Sequence, residues 1–423
     1  MYRLSIFLSA FLWMSSTIFA QDKTYAKRLI DTLASPSMEG RGYVKNGDKL
    51  AAEFIEAEMR NFRLKPLFKK EIYSQTFLHD VNTFPQDPVL RFGSQALIPG
   101  KDYLVHPYSG TVSGTFTPII VRANDLDALD AIVSKVRKPL KSAIILYAET
   151  AEEYKKMSPL AVDFLKRFPV VILVNPSKLT WTVADVSVPK IAVLEVRKDA
   201  LPPLDEIKKV KVSTESIFLK NYESKNIAGY VEGEIKDTFL LLTAHYDHLG
   251  RMGSALFPGA SDNASGTSMM LNLAKFYAGN TKRPKYSMAF VAFAGEEAGL
   301  KGSKHFVDHP PMALSQIKFV FNIDLMGGGT IGSTIVNGSV YENEFKRIEK
   351  INTDNHLLGM VKKRGKAANS DHYWFSENGV PAFFMYAEGG VTAYHDVNDT
   401  RENLPLDEYD DLFKLIHLFM DGF

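Results

Sequence analysis

The stretch Phe239–Gly266, FLLLTAHYDHLGRMGSALFPGASDNASG, decides how the chain is read. Its apolar run Phe239–Ala244 is continuous rather than alternating, the pattern of a strand buried on both faces of a sheet. The run stops at His245-Tyr246-Asp247-His248, so imidazole and carboxylate groups gather at the carboxyl end of the strand. A glycine-containing loop leads to Ser261-Asp262-Asn263, and a helical pattern follows from Ala264. His-x-Asp at a strand end, with another acid at a helix entrance, makes half of a metal site.

The same arrangement recurs along the chain. Ile227–Val231, Met288–Phe293, Ile317–Ile323 and Ala382–Tyr386 read as further buried strands. Helices are expected over Ala264–Ala278, Gly302–Val307, Glu342–Asn355, Asp371–Asn378 and Leu406–Met420, which gives an α/β fold. Glu296 and Glu297 follow one of these strands, Asp324 another, and His395 a third through a glycine-bearing loop. Ligands of open α/β sheets collect outside the carboxyl ends of the strands, so these residues are read as one functional cluster.

Their types suit a dinuclear metal centre. Asp262 has two oxygens and is the natural bridge between ions ~3.5–4 Å apart; the competing reading is an N-cap for the helix that follows. Asp247 lies two residues from His245, on the same side of an extended backbone. It is read as the carboxylate that fixes the His245 ring, direct ligation being the alternative, and His248 is expected to point elsewhere. Adjacent side chains diverge, so one of Glu296 and Glu297 suits a metal and the other suits a general base. For the last ligand, His356, His372 and His417 compete with His395 on spacing. The chain has no cysteine, which excludes disulfides and thiolate ligands and leaves His, Asp and Glu to hold zinc or a similar divalent ion.

The rest of the chain bounds the reading. Length (423 residues), 45% hydrophobic and 23% charged content suit two globular units, or one large α/β domain with an insertion. Residues 1–20, MYRLSIFLSAFLWMSSTIFA, read as an export signal with Arg3 in a short positive region and Ala20 at its end. Beyond it no run reaches the ~20 apolar residues of a spanning helix, so no membrane span is expected after cleavage. Net charge is +1, and no basic field is available for nucleic acid. Residues 21–99 are read as N-terminal helices and first strands of the main domain, 100–212 as an inserted module and 213–423 as the catalytic domain. The module's expected strands are Thr117–Val121, Ser142–Tyr147, Val170–Val174 and Lys190–Leu194, with helical patterns over Asp125–Val136 and Ala151–Phe168. It contains no convincing acid/His cluster, and its expected role is to cover or shape a pocket, or to stabilise. The Glu39-Gly40-Arg41-Gly42 loop is read as a plain turn, with packing near the site entrance as the alternative.

The set HYDH, PGASDNASG, AGEEAGLKGSKHF, NIDLMG and YHDVNDT, in order over 226–400, resembles metallopeptidase family twenty-eight, the co-catalytic zinc aminopeptidases. Residues 100–212 more weakly resemble the protease-associated insertion of that family. The resemblance implies a three-layer α/β/α zinc exopeptidase fold (phosphorylase/hydrolase-like) with a mixed central sheet. It implies two zinc ions, one held by His245, Asp262 and Asp324 and the other by Asp262, Glu297 and His395. Glu296 would be the general base, Asp247 would orient His245, and a hydroxide bridging the zincs would attack an N-terminal peptide bond. Implied substrates are peptides with a free amino terminus, met in a periplasmic or extracellular location. Carboxypeptidase or glutaminyl-cyclase chemistry, and a non-catalytic receptor-like protein, are the alternatives within the family. Asp396-Val397 departs from the family, where Thr-Pro is common, without removing a ligand.

Overall fold

Side chains of the five apolar runs alternate between two covered faces, and this alternation builds the protein's main layer. The computed structural model describes residues 22–164 and 167–423, so the expected export signal at 1–20 lies outside the described residues. The main sheet has nine strands. Tyr286–Phe293, Ile235–His245, Ile317–Asp324 and Ala382–Glu388 run parallel at its centre. Antiparallel Ile217–Val231 and Gly332–Val336 flank them, so the sheet is mixed. Leu240, Leu242 and Ala244 face one core with Phe290, Phe321 and Met385. Helices Lys23–Leu33, Gly47–Asn61, Gly266–Gly279 and Tyr409–Asp421 cover that side. Phe239 and Leu241 point the other way, to Phe306 and Phe375 of the short helices Lys301–Asp308 and His372–Glu377. The result is a three-layer α/β/α sandwich.

Local chemistry sets the element ends. Asp22 accepts from Tyr25 N at 2.8 Å and caps the first helix, whose Ala26, Leu29, Ile30 and Leu33 fall on one buried stripe. The helix expected over Ala151–Phe168 is two pieces, Ala151–Met157 and Leu160–Phe164. Pro159 lies between them and has no N–H to continue the ladder. Gly332–Val336 and Val361–Lys363 escaped the sequence reading because they are short and rich in Gly, Ser, Thr and Lys. Among the described residues no helix is long and apolar enough to cross a membrane.

A second sheet of eight strands forms the inserted module. Val112–Arg122, Ser142–Tyr147, Val170–Asn175 and Ala192–Arg197 run parallel at its centre. The sheet reaches beyond the expected limits of 100 and 212. Val89–Phe92 pairs with Val210–Thr214, Leu90 opposite Val212 and Phe92 opposite Val210. Residues 89–92 and 213–214, read from sequence as part of the main domain, therefore pair within the module's sheet, because a strand joins the sheet that supplies its partners.

The two cores interlock at one hairpin. Gly250–Met252 pairs with Ala255–Phe257 inside the stretch that carries His245 and Asp262. Its Met252, Ala255 and Phe257 are buried with Phe84, Val105 and Trp181 in the module's core. Phe257 stacks on Trp181, centroids 4.7 Å apart at 24°. Phe257→Ala is therefore expected to cost about 3–5 kcal/mol and to leave one cooperative endotherm at lower temperature in calorimetry. Two separated transitions in the wild-type protein would mean that the cores are independent.

Candidate metal centre

Strand register places the first pair. Thr243 lies opposite Asn322 in the parallel ladder, so His245 and Asp324, two residues on, end their strands side by side on one face. His245 Nε2 is 3.2 Å from Asp324 Oδ2 and 3.4 Å from Asp262 Oδ1. The other oxygen, Asp262 Oδ2, is 3.0 Å from His395 Nε2, which is 3.3 Å from Glu297 Oε2. Asp262 thus stands between two clusters and turns one oxygen to each. His356 and His417 lie on other parts of the surface, at the end of helix Glu342–Asn355 and beside Asp421, and His372 packs against Phe384.

The Asp262 loop is held so that its carboxylate stays free. Asp399 accepts from Ser261 N at 2.8 Å and from Asp262 N at 3.0 Å. Asn263 Oδ1, rather than Asp262, accepts from Gly266 N at the helix entrance, at 2.9 Å. Asp262 Oδ1 and Asp324 Oδ1 are buried without a hydrogen-bond partner. Orphaned carboxylate oxygens are costly in a protein interior, and a cation between them would satisfy both. Grouping donor atoms by distance gives His245, Asp262 and Asp324 as one set, and His248, Asp262 and Glu297 as another. The donors present therefore fit divalent metal.

His248 differs from its sequence reading. Its Nδ1 donates to Glu297 Oε1 at 2.8 Å. The strand ends at His245, so alternation no longer decides which way residue 248 points. Asp247 departs in the same way. Its carboxylate is 3.8 Å from His245 Nδ1, whereas its backbone oxygen accepts from that nitrogen at 3.1 Å. The carboxylate instead accepts from Glu296 N, Glu297 N and the Tyr43 hydroxyl at 3.2–3.3 Å. Asp247 therefore fixes the ring through its main chain and the glutamate pair through its side chain.

The electrostatics separate the two glutamates. Desolvation and the carboxylates of Glu297, Asp371 and Asp324 hold Glu296 well above the usual carboxylate range, against the pull of His245. Desolvation also opposes ionisation of Glu297, yet His395 and His248 keep its carboxyl well below that range. Burial pushes Asp247 up to about 7 and Asp371 up to about 6. Asp371 is buried with neither oxygen bonded and does not cap the helix it precedes. Tyr394, absent from the predicted site residues, stacks on His395 at 3.9 Å and 14°. Desolvation and the field of Asp262, Glu297, Asp324 and Glu296 keep its phenol protonated.

The Glu39-Gly40-Arg41-Gly42 segment is not the plain turn its composition suggests. Arg41 is fully buried and places all five of its N–H donors on carbonyls. Nε donates to Tyr246 O, Nη1 to Leu33 O and Pro258 O, and Nη2 to Gly259 O and Asp262 O, at 2.7–3.0 Å. Burial lowers its pKa to about 10 while Asp262, Asp399, Asp247 and Glu297 resist, so it remains charged at neutral pH. Gly42 permits this approach, since a Cβ there would lie 2.4 Å from Gly250 Cα. Arg41→Met should cost about 3–5 kcal/mol in urea unfolding and lower the bound-metal stoichiometry, and Arg41→Lys, with three donors, should recover less than half of that loss. Unchanged metal content in the methionine variant would show that the loop keeps its shape without the guanidinium.

The mixed α/β/α sandwich thus gathers buried histidines and carboxylates at the carboxyl edge of its sheet, where ligands of open α/β sheets collect. Residues 226–420 match the model of Peptidase family M28. Aminopeptidase YwaD of Bacillus subtilis is 28% identical over 253 residues, 56% of this chain and 52% of the relative. The glutaminyl-peptide cyclotransferase of Bos taurus is 28% identical over 224 residues, 43% of this chain and 61% of the relative. The chain thus aligns with little more than half the length of these relatives. The solved structure of BSAP, a zinc aminopeptidase from Bacillus subtilis, shares the fold at TM-score 0.69 and 19% identity, over 95% of this chain and 94% of that one.

Proposed function

We propose that the protein is an exported zinc aminopeptidase with two zinc ions per chain. His245, Asp262 and Asp324 would hold one ion, and Asp262, Glu297 and His395 the other. The observation that carries this reading is Asp262, with one oxygen facing each cluster. His395 is preferred to His248 for the second ion. Its Nε2 lies near both Asp262 and Glu297, and its Nδ1 donates to a backbone carbonyl at 2.7 Å, the outer hydrogen bond that a ligand imidazole needs. His248 Nδ1 is 3.9 Å from Asp262, and its Nε2 has no partner.

When bound, zinc would polarise a scissile carbonyl and make water more acidic. Glu296 lies outside both ligand sets, and desolvation with the neighbouring carboxylates raises its proton affinity, so its carboxylate suits a group that takes a proton from water and returns it to a leaving amine. Asp247 holds the Glu296 backbone in place for that transfer. Tyr394 faces the same edge as a neutral donor. The names of aminopeptidase relatives support peptides with a free amino terminus as substrates, and the reading of Met1–Ala20 supports export. The cyclotransferase relative favours a second reading, cyclisation of N-terminal glutamine.

Aminoacyl-arylamides, N-blocked peptides and N-terminal glutaminyl peptides, assayed with and without chelator, separate these readings. Chelator-sensitive release of the arylamine from unblocked substrates is expected. Turnover of blocked peptides alone, or cyclisation without hydrolysis, would overturn the aminopeptidase assignment. Glu296→Gln is expected to keep fold and zinc while turnover falls by at least about two orders of magnitude; near-normal turnover would remove Glu296 from the role of base.

A further inference from the structure

The His395 loop is held by the inserted module. Between the module strands Val170–Asn175 and Ala192–Arg197, the segment 178–185 runs along the metal edge of the main sheet. Trp181 makes two reciprocal bonds to one residue: its N–H donates to His395 O at 3.1 Å, and its carbonyl accepts from His395 Nδ1 at 2.7 Å. His395 has φ +54°, a left-handed conformation that costs a non-glycine residue and persists only where neighbours enforce it. Three residues earlier, Lys178 Nζ donates to Thr392 O at 2.8 Å and Tyr394 O at 2.7 Å. At its other end Asp185 pairs with Lys301 at 2.8 Å, on the helix just after the Glu296-Glu297 turn. Val183 packs with Tyr43 and Ala298 in between. The segment is thereby an arch with one foot on the histidine loop and the other beside the glutamates.

We propose that this arch is a working part of the metal centre, with Trp181 and Lys178 as positioning residues that aim the His395 ring. The inference rests on the two-zinc reading above and assigns to the module a role beyond covering a pocket. A ligand histidine whose outer N–H loses its acceptor typically binds metal about 10–100-fold more weakly. Here that acceptor is a backbone carbonyl of the module. The carbonyl is anchored by the Trp181 side chain, whose indole N–H donates to Val105 O at 2.8 Å and whose ring stacks on Phe257. Substitution cannot remove the carbonyl, but it can loosen what holds it. The metal cluster fed by His245 and Asp324 has no contact of this kind with the arch, so the effect should be one-sided.

The test is zinc competition with a chromophoric chelator on the full chain, comparing wild type, Trp181→Ala, Trp181→Phe and Lys178→Met. The wild type should hold two equivalents. In Trp181→Ala and Lys178→Met one equivalent should leave about 10-fold or more readily while the other is unchanged, and Trp181→Phe, which keeps the stack on Phe257 but loses the indole bond to Val105 O, should fall between wild type and Trp181→Ala. Loss of both equivalents in parallel with a lower melting temperature of the metal-free protein would overturn the proposal, as would unchanged release of both. Lys178 is exposed, so its variant decides the matter if Trp181→Ala fails to fold. If the wild type binds fewer than two equivalents, the two-zinc reading fails on its own. The arch is then judged in the metal-free protein by ¹⁵N-histidine NMR. The His395 Nδ1–H signal should be protected from exchange in wild type and lost in Lys178→Met and Trp181→Ala, and protection in both variants would overturn it.

Discussion

One buried guanidinium sets the shape of the metal edge. Taking a cation out of water costs several kcal/mol, and Arg41 recovers this through five carbonyl acceptors drawn from three separate pieces of chain. The choice of acceptor matters. Asp262, Asp399, Asp247 and Glu297 all lie within its field, yet none of those carboxylates accepts a hydrogen bond from it. The charge that makes an acidic pocket tolerable is thus supplied without occupying the oxygens that metal would need. A lysine would lack the donors to span these pieces, and a carboxylate-paired arginine would block the site.

The same logic runs through the residues around Asp262. Asp399 binds the two amides of the loop, and Asn263 caps the helix, so every local hydrogen-bonding duty falls on a neighbour. Asp247 does the same for the glutamate turn. With their backbones held from outside, Asp262 and Glu297 present carboxylates in fixed directions. Fixed directions are what a site needs if it is to select a small cation rather than collapse into its own ion pairs.

Much of this was legible in the sequence, and the limits have physical causes. The buried parallel strands announce themselves because both faces are apolar, so the residue types change abruptly where each strand ends at His245, Asp324 or the glutamates. Reading failed where periodicity stops. Past His245 the backbone is no longer extended, and the alternation that sent His248 away and Asp247 towards the ring had no force there. Arg41 sits in a loop with two positive-φ neighbours, Glu39 and Gly40, and a buried arginine in such a loop has no pattern to reveal it. His395 was recoverable only from the surrounding Tyr-His and Asp-Thr residues, because the contact that singles it out comes from Trp181, over two hundred residues away. The module's first strand, Val89–Phe92, was not separable from the main domain in the sequence because pairing, not composition, decides which sheet a short strand joins.

The hairpin shared between the two cores also bears on the order of assembly during synthesis. Val89–Thr214 leaves the ribosome before Ile235–His245, and N-terminal units fold first as a chain emerges. The module can therefore close its sheet while Ser74–Thr83 still waits for its partner Ile217–Val231. When 249–257 arrives, Phe257 and Met252 meet a surface already lined by Val105 and Trp181. The metal-edge loop is then moulded on a finished template rather than searching for its form alone, which shortens the list of long-range contacts the main sheet must find unaided.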